Sequence, residues 1–157
     1  MAKPSPKLDG FHPSASWEVL RLRAELLRRI RAFFDQRGFL EVETPLLSAD
    51  TVVDRHLDPF SVEIAGGGNL AATAAGQPRW LQTSPEFAMK RLLAAGGKAI
   101  YQITRAFRQG EVGPLHNPEF TIVEWYRVAD NMAAGIDLLG ELVVELLECP
   151  PPVAATY

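Results

Sequence analysis

The stretch from Ala106 to Tyr126 reads AFRQGEVGPLHNPEFTIVEWY, and it carries far more ionisable and amide side chains than a hairpin needs. On a strand over 119–127, alternation points Phe120, Ile122, Glu124 and Tyr126 one way and Glu119, Thr121, Val123, Trp125 and Arg127 the other. On a preceding strand over 99–108, Thr104, Ala106 and Arg108 share one face, and Tyr101, Ile103 and Phe107 share its reverse. If Arg108 lies on the face of Phe120 and Glu124, one surface gathers a cation, an aromatic ring, a carboxylate and a phenol. Phe107, Val123 and Trp125 then form a core face. Such a surface suits a nucleotide beside an amine. A guanidinium grips phosphate through two hydrogen bonds of about 1.5–3 kcal/mol each. A phenylalanine face stacks on a base for about 1–3 kcal/mol, and a carboxylate beside a phenol holds an ammonium. Pattern alone also allows a plainer reading, in which Arg108 and Glu124 are cross-strand ion-pair partners on a solvated face.

The elements that must position these groups are legible upstream. Ser16 is placed to cap a helix from Trp17 to Arg37, with Leu20, Ala24, Leu27, Ile30 and Phe34 at helical spacing and Gly38 as the residue that ends it. Arg21, Arg28 and Arg29 fall largely on other faces, as a solvated side. In FLEVETPLL, Leu40 and Val42 alternate with Glu41 and Glu43, which predicts a strand with one wet face that stops at Pro45. Residues 57–64 suggest another strand, 65–78 a flexible connector, and RWLQT a return to extended chain. Ser84-Pro85 opens a helix running to about Ala95, stopped by Gly96-Gly97. A last amphipathic helix covers 133–147. The order of helix, strands, helix, hairpin and helix predicts an α+β fold, an antiparallel sheet flanked by helices. Residues 1–15 read as a flexible tail and 16–157 as part of one domain.

The bulk numbers narrow the function. A net charge of −3 argues against a broad nucleic-acid-binding surface. Cys149 is the only cysteine, which fits a reducing cytoplasm and allows no internal disulfide. No apolar run reaches the ~18 residues of a membrane span. His12 and His56 lie in loop-like stretches without metal-ligand spacing, so no metal-binding residues are assigned. Ser84 reads first as a helix cap, and Lys90 and Arg91 as surface cations.

Three ordered motifs carry a resemblance. RGFLEVETPLL (37–47) resembles motif 1 of the class II aminoacyl-tRNA synthetases. TSPEFAMKRLL (83–93) and FRQGEVGPLHNPEFTIVEWY (107–126) resemble the lysyl-type enzymes, the latter as motif 2. HNPEF and EWYR are most similar to the branch that ligates lysine to elongation factor P. Only about sixteen residues precede the first helix, leaving no room for the anticodon-binding barrel of lysyl-tRNA synthetases. The resemblance implies ATP-dependent activation of lysine or (R)-β-lysine with Mg²⁺, and transfer to a lysine of elongation factor P rather than to tRNA. It implies Arg108 on the α-phosphate, His116 and Asn117 against ATP, Phe120 under adenine, and Ser84, Glu86, Glu124 and Tyr126 around the amino acid. Pro45 would lie at a homodimer interface. A lysyl-tRNA synthetase fragment, or a non-catalytic dimerisation module, are the alternatives.

Two departures accompany the resemblance. Gly110 stands where motif 2 usually has glutamate, with Glu111 next; a shift of one residue would still bring a carboxylate to the nucleotide. Motif 3 and the late acidic residues that hold Mg²⁺ do not occur. The expectation is therefore an N-terminal part of a longer catalytic domain, inactive alone.

Overall fold

A computed structural model describes residues 13–63 and 78–153. The expected tail falls outside these residues apart from 13–15, as does the expected connector apart from Pro78. The elements are α1 (Trp17–Asp35), β1 (Leu40–Glu41), β2 (Leu47–Ser48), β3 (Ser61–Glu63), β4 (Pro78–Leu81), α2 (Glu86–Ala94), β5 (Ala99–Phe107), β6 (Glu119–Arg127) and α3 (Met132–Leu147). Contacts divide the chain into two compact units: one spans Phe34–Gly135, and the other joins the segments on either side of it.

In the unit built from the two end segments, α1 begins where Ser16 Oγ accepts the Val19 amide at 3.3 Å and the Ser16 carbonyl accepts the Leu20 amide at 3.0 Å. Glu18 sits in the first turn, where the helix dipole favours an acid. The expected apolar stripe is only partly covered. Leu20 and Ala24 are exposed, whereas Ile30, Phe33 and, across the unit boundary, Phe34 are buried. Helical spacing identifies a face but not how much of it is covered, and Phe33 was absent from the predicted stripe. Arg29 is not a solvated bystander: its Nη1 lies 3.0 Å from Glu148 Oε1, and its guanidinium also donates to the Glu145 carbonyl. From α3, Leu138 and Leu142 are buried. No helix among the described residues is long and apolar enough to cross a membrane.

The central unit begins at the end of α1, where Gly38 has φ +74°, a conformation that costs an L side chain about 1–2 kcal/mol. Phe39 N–H donates to the Phe34 carbonyl at 3.1 Å and Gly38 N–H to the Asp35 carbonyl at 3.0 Å, the paired bonds of a Schellman cap. Its accompanying apolar contact is Phe34 against Phe39, edge to face at 5.2 Å. Phe34 also stacks on Tyr101 at 4.5 Å and meets Trp125 at 5.5 Å. This aromatic group is the core beneath the hairpin, and Phe34 and Tyr101 are fully buried in it.

Two three-stranded sheets complete the unit. The first has the order β1-β5-β6, with β1 parallel to β5 and β5 antiparallel to β6; the second is antiparallel, β2-β4-β3. The fold is α+β as expected, but the parallel β1–β5 pair makes the first sheet mixed. The predicted wet and dry faces of FLEVET do not form. Only Leu40 and Glu41 pair, and Leu40 is 66% exposed. A strand of two residues cannot bury a face, and beyond it Thr44 donates its hydroxyl to Gln102 Oε1 at 3.0 Å before Pro45 ends the segment. The strand expected over 57–64 pairs only at Ser61–Glu63, while Asp58 forms an isolated bridge to Gln109.

Candidate functional site

The β5–β6 register decides which side chains share a surface. Ile100 faces Tyr126, Gln102 faces Glu124, Thr104 faces Ile122 and Ala106 faces Phe120. Tyr101–Trp125, Ile103–Val123, Arg105–Thr121 and Phe107–Glu119 pair on the reverse, where Phe34 packs. The plainer reading of Arg108 as a cross-strand partner of Glu124 fails on this register, because Gln102 stands opposite Glu124. Arg105 and Glu119 do form an ion pair at 3.5 Å, from the reverse face.

Arg108 lies one residue past β5. Its amide donates to the Pro118 carbonyl at 2.9 Å, which prolongs the pairing and keeps its side chain on the Phe120 face. The guanidinium stands 4.9 Å above the Phe120 ring, a cation–π contact of about 0.5–2 kcal/mol. Its Nε donates to the Thr83 carbonyl at 3.4 Å, and Nη1 lies 3.6 Å from Glu111 Oε1. Glu111 reaches back because Gly110 has φ +83°, a second position that favours glycine.

Two pairs further along β6, both oxygens of Glu124 are occupied by hydroxyls. Tyr126 O–H donates to Oε1 at 2.6 Å, and Ser84 O–H donates to Oε2 at 2.7 Å. Ser84 also accepts the Glu86 amide at 3.1 Å, so it ties the start of α2 to Glu124; the N-cap position itself is Pro85, one residue later than the Ser84 cap expected from the sequence. Burial pushes the Tyr126 phenol above its ordinary pKa of 10; its bond to Glu124 and the charges of Glu124 and Glu86 push the same way. It therefore stays a hydrogen-bond donor throughout the physiological range. Glu86 pairs with Lys90 along α2.

Arg108, Glu111 and Phe120 thus form one cluster, and Ser84, Glu86, Glu124 and Tyr126 a second. His116 and Asn117 are exposed at the tip of the turn and join neither; the His116 backbone exchanges hydrogen bonds with Gly113 at 3.0 and 3.2 Å. Sequence reasoning missed the buried amides behind the clusters. Gln82 Nε2 donates to Thr104 Oγ1 at 3.3 Å and to the Arg105 carbonyl at 2.8 Å, and Gln102 takes the bond from Thr44. Gln102 had a signal, since it alternates onto the Glu124 face; Gln82 and Thr83 had none. A cavity of about 40 Å³ lies beside Ser84, lined by Ser48, Thr51, Gln82 and Phe87 among others. Thr51 Oγ1 is buried without a hydrogen-bond partner among the described residues, so the cavity suits a bound water. Among the described residues no group of three or more His, Cys, Asp or Glu could hold a metal ion.

With this geometry in view, the sequence profile of the family described as tRNA synthetases class II (D, K and N) matches residues 8–149. The chain belongs to this family. Several curated relatives carry the name elongation factor P–(R)-β-lysine ligase. That of Mannheimia succiniciproducens is 47% identical over 150 residues, which cover 95% of this chain and 45% of the relative. That of Vibrio vulnificus is 50% identical over 147 residues, covering 94% and 44%. That of Haemophilus influenzae (strain PittGG) is 46% identical over 151 residues, covering 96% and 45%. The chain therefore spans less than half the length of the relatives it matches.

Proposed function

We propose that this chain supplies the amino-acid seat and the α-phosphate clamp of a cytoplasmic, ATP-dependent ligase. The ligase would adenylate lysine or (R)-β-lysine and pass the acyl group to a lysine of elongation factor P. The observation that carries the reading is the state of Glu124. Both its oxygens take hydrogen bonds from neutral hydroxyls, and it forms no ion pair among the described residues. A carboxylate fixed in place but not neutralised is a seat for an ammonium group. Arg108 over Phe120, on the same sheet face, suits the phosphate and base of a nucleotide. The names of the relatives supply the choice of amino acid and acceptor.

In this reading the substrate carboxylate attacks the α-phosphorus of ATP and pyrophosphate leaves. The attacking group is already ionised, so no general base is required. Arg108 holds the α-phosphate and offsets charge that builds on its oxygens. Glu124, set by Ser84 and Tyr126, holds an amine of the substrate and so fixes its carboxylate. His116 and Asn117 would meet ATP from the turn. In the second step the free amine of the acceptor lysine attacks the acyl carbon, an amide forms, and AMP and a proton leave. Mg²⁺ enters no step derived from these residues. Exposed Leu40, Pro45, Leu46 and Leu47 support a homodimer contact through the motif 1 segment.

The test is a chimaera in which this chain replaces the matching part of the Mannheimia succiniciproducens ligase. It should catalyse lysine-dependent ATP–pyrophosphate exchange and label elongation factor P. Labelling of lysine tRNA instead would move the chain to the tRNA-charging members of its family, and no exchange with a folded chimaera would refute the reading.

A further inference from the structure

Arg108 does not stand open in this structure, and its partner comes from the departure in the turn. Glu111 holds its carboxylate 3.6 Å from Nη1, with both side chains about three-quarters buried. The other side of the guanidinium is committed to the Thr83 carbonyl through Nε, and its plane lies over Phe120. Of its contacts among the described residues, the Nη1 edge alone meets an anion. The reach depends on Gly110 at φ +83°, where any L side chain would be strained. We infer that Glu111 is an internal placeholder for a phosphate: its carboxylate occupies the anion seat of Arg108 until ATP displaces it. This rests on the reading of Arg108 as the α-phosphate clamp and adds a role that opposes nucleotide binding rather than assisting it.

The physical consequence is competition. A carboxylate and a phosphate oxygen cannot both take the Nη1 edge, and a triphosphate entering beside Glu111 also meets a like charge. Binding must first break the ion pair, and the released turn, carrying exposed Val112 and Leu115, must move aside. Removing the charge while keeping the shape should therefore tighten ATP binding. A partly exposed pair of this kind corresponds to about two- to fivefold in affinity. A carboxylate that instead reads the adenine edge predicts the opposite sign.

The experiment titrates ATP into the full chain and into Glu111→Gln by calorimetry at fixed salt. Glu119→Gln serves as control, because Glu119 sits on the reverse face paired with Arg105 and removes the same charge without touching Arg108. The Arg108 Nε–Hε NMR signal is recorded without nucleotide. The expected result is ATP binding about two- to fivefold tighter in Glu111→Gln, no comparable gain in Glu119→Gln, and an Arg108 signal that shifts only in Glu111→Gln. Binding by the wild-type chain with equal or weaker binding by Glu111→Gln overturns the placeholder and leaves the site reading intact. Equal gains in both variants reduce the effect to bulk charge and also overturn it. No ATP binding by any variant, with the fold intact by circular dichroism, overturns the clamp reading itself.

Discussion

Replacing Tyr126 by Phe removes one hydroxyl from the Glu124 seat and leaves the ring in place. The lost bond is the 2.6 Å contact to Glu124 Oε1; the 2.7 Å bond from Ser84 to Oε2 remains. A hydrogen bond to a charged group contributes about 1.5–3 kcal/mol when buried. Glu124 and Tyr126 are only partly buried, so water recovers some of this, leaving about 1–2 kcal/mol, or about 5–30-fold. In the proposed reading the amine held by Glu124 is remote from the reacting carboxylate, so its binding is the same in the ground and transition states. The loss should then appear in KM for the amino acid with kcat nearly unchanged. ATP–pyrophosphate exchange by the chimaera, measured against amino-acid concentration at saturating ATP, reads both constants. Ser84→Ala should act in the same direction. The double variant should cost less than the sum, because both hydroxyls orient one carboxylate. An unchanged KM in a folded variant, or a fall in kcat at constant KM, would refute the assignment of Glu124 as the amine seat.

Arg108→Ala in the same chimaera should lower the exchange rate by two or more orders of magnitude at saturating substrates, since in the proposed reading it removes charge stabilisation at the reacting phosphorus; an unchanged rate removes Arg108 from the chemistry. Ala129 has φ +74°, so Ala129→Gly should stabilise the chain by about 0.5–1 kcal/mol after the entropy gained by the unfolded chain, read as a higher Tm. Burial raises the phenol pKa of both Tyr101 and Tyr126, aided in Tyr101 by Glu41 and Asp35. Above about pH 10 the unfolded chain therefore releases protons that the folded chain keeps. Stability from this source is fully present below pH 10 and falls above it. Denaturant midpoints measured from pH 9 to 11 should drop, and the drop should be smaller in Tyr101→Phe with Tyr126→Phe.

The hairpin was legible because nine residues of alternation on each strand fix both faces, and the observed register Ala106↔Phe120 to Gln102↔Glu124 follows that parity. The Gly38 cap was legible because a glycine after a helical run has one common use. Contacts between distant segments left no such trace. The Ser84–Glu124 bond joins residues 40 apart, and Tyr101 donates to Asp35 and Glu41 across 66 and 60 residues. No periodicity encodes these pairings; the grouping of Ser84 with Glu124 came only from resemblance to the lysyl-type enzymes. Leu40 shows the opposite failure. Its alternation was genuine, but burial needs a covering element, and four alternating residues do not supply one. The Asn131 cap of α3, whose Oδ1 accepts the Ala134 amide at 3.0 Å, has a local signal, an Asn just before a helical run.

The Tyr126→Phe variant also tests whether the proposed Glu124 seat distinguishes lysine from (R)-β-lysine. Lysine carries its amines on carbons 2 and 6, and β-lysine on carbons 3 and 6; only the amine nearer the carboxylate moves. Glu124 lies four residues beyond Phe120 on β6, about 13 Å along the strand at ~3.3 Å per residue. In the proposed reading the nucleotide end of the site is at Phe120 and Arg108, and the substrate carboxylate lies there to reach the α-phosphorus. The amine that extends furthest from that end is the one on carbon 6, common to both substrates. A seat built on Glu124 is then indifferent to the position of the other amine, and Tyr126→Phe should raise KM for lysine and for (R)-β-lysine by the same factor. Discrimination between them would have to come from groups that meet carbons 2 and 3. Unequal factors would show that Glu124 holds the amine that moves, and would place substrate choice in this half of the site.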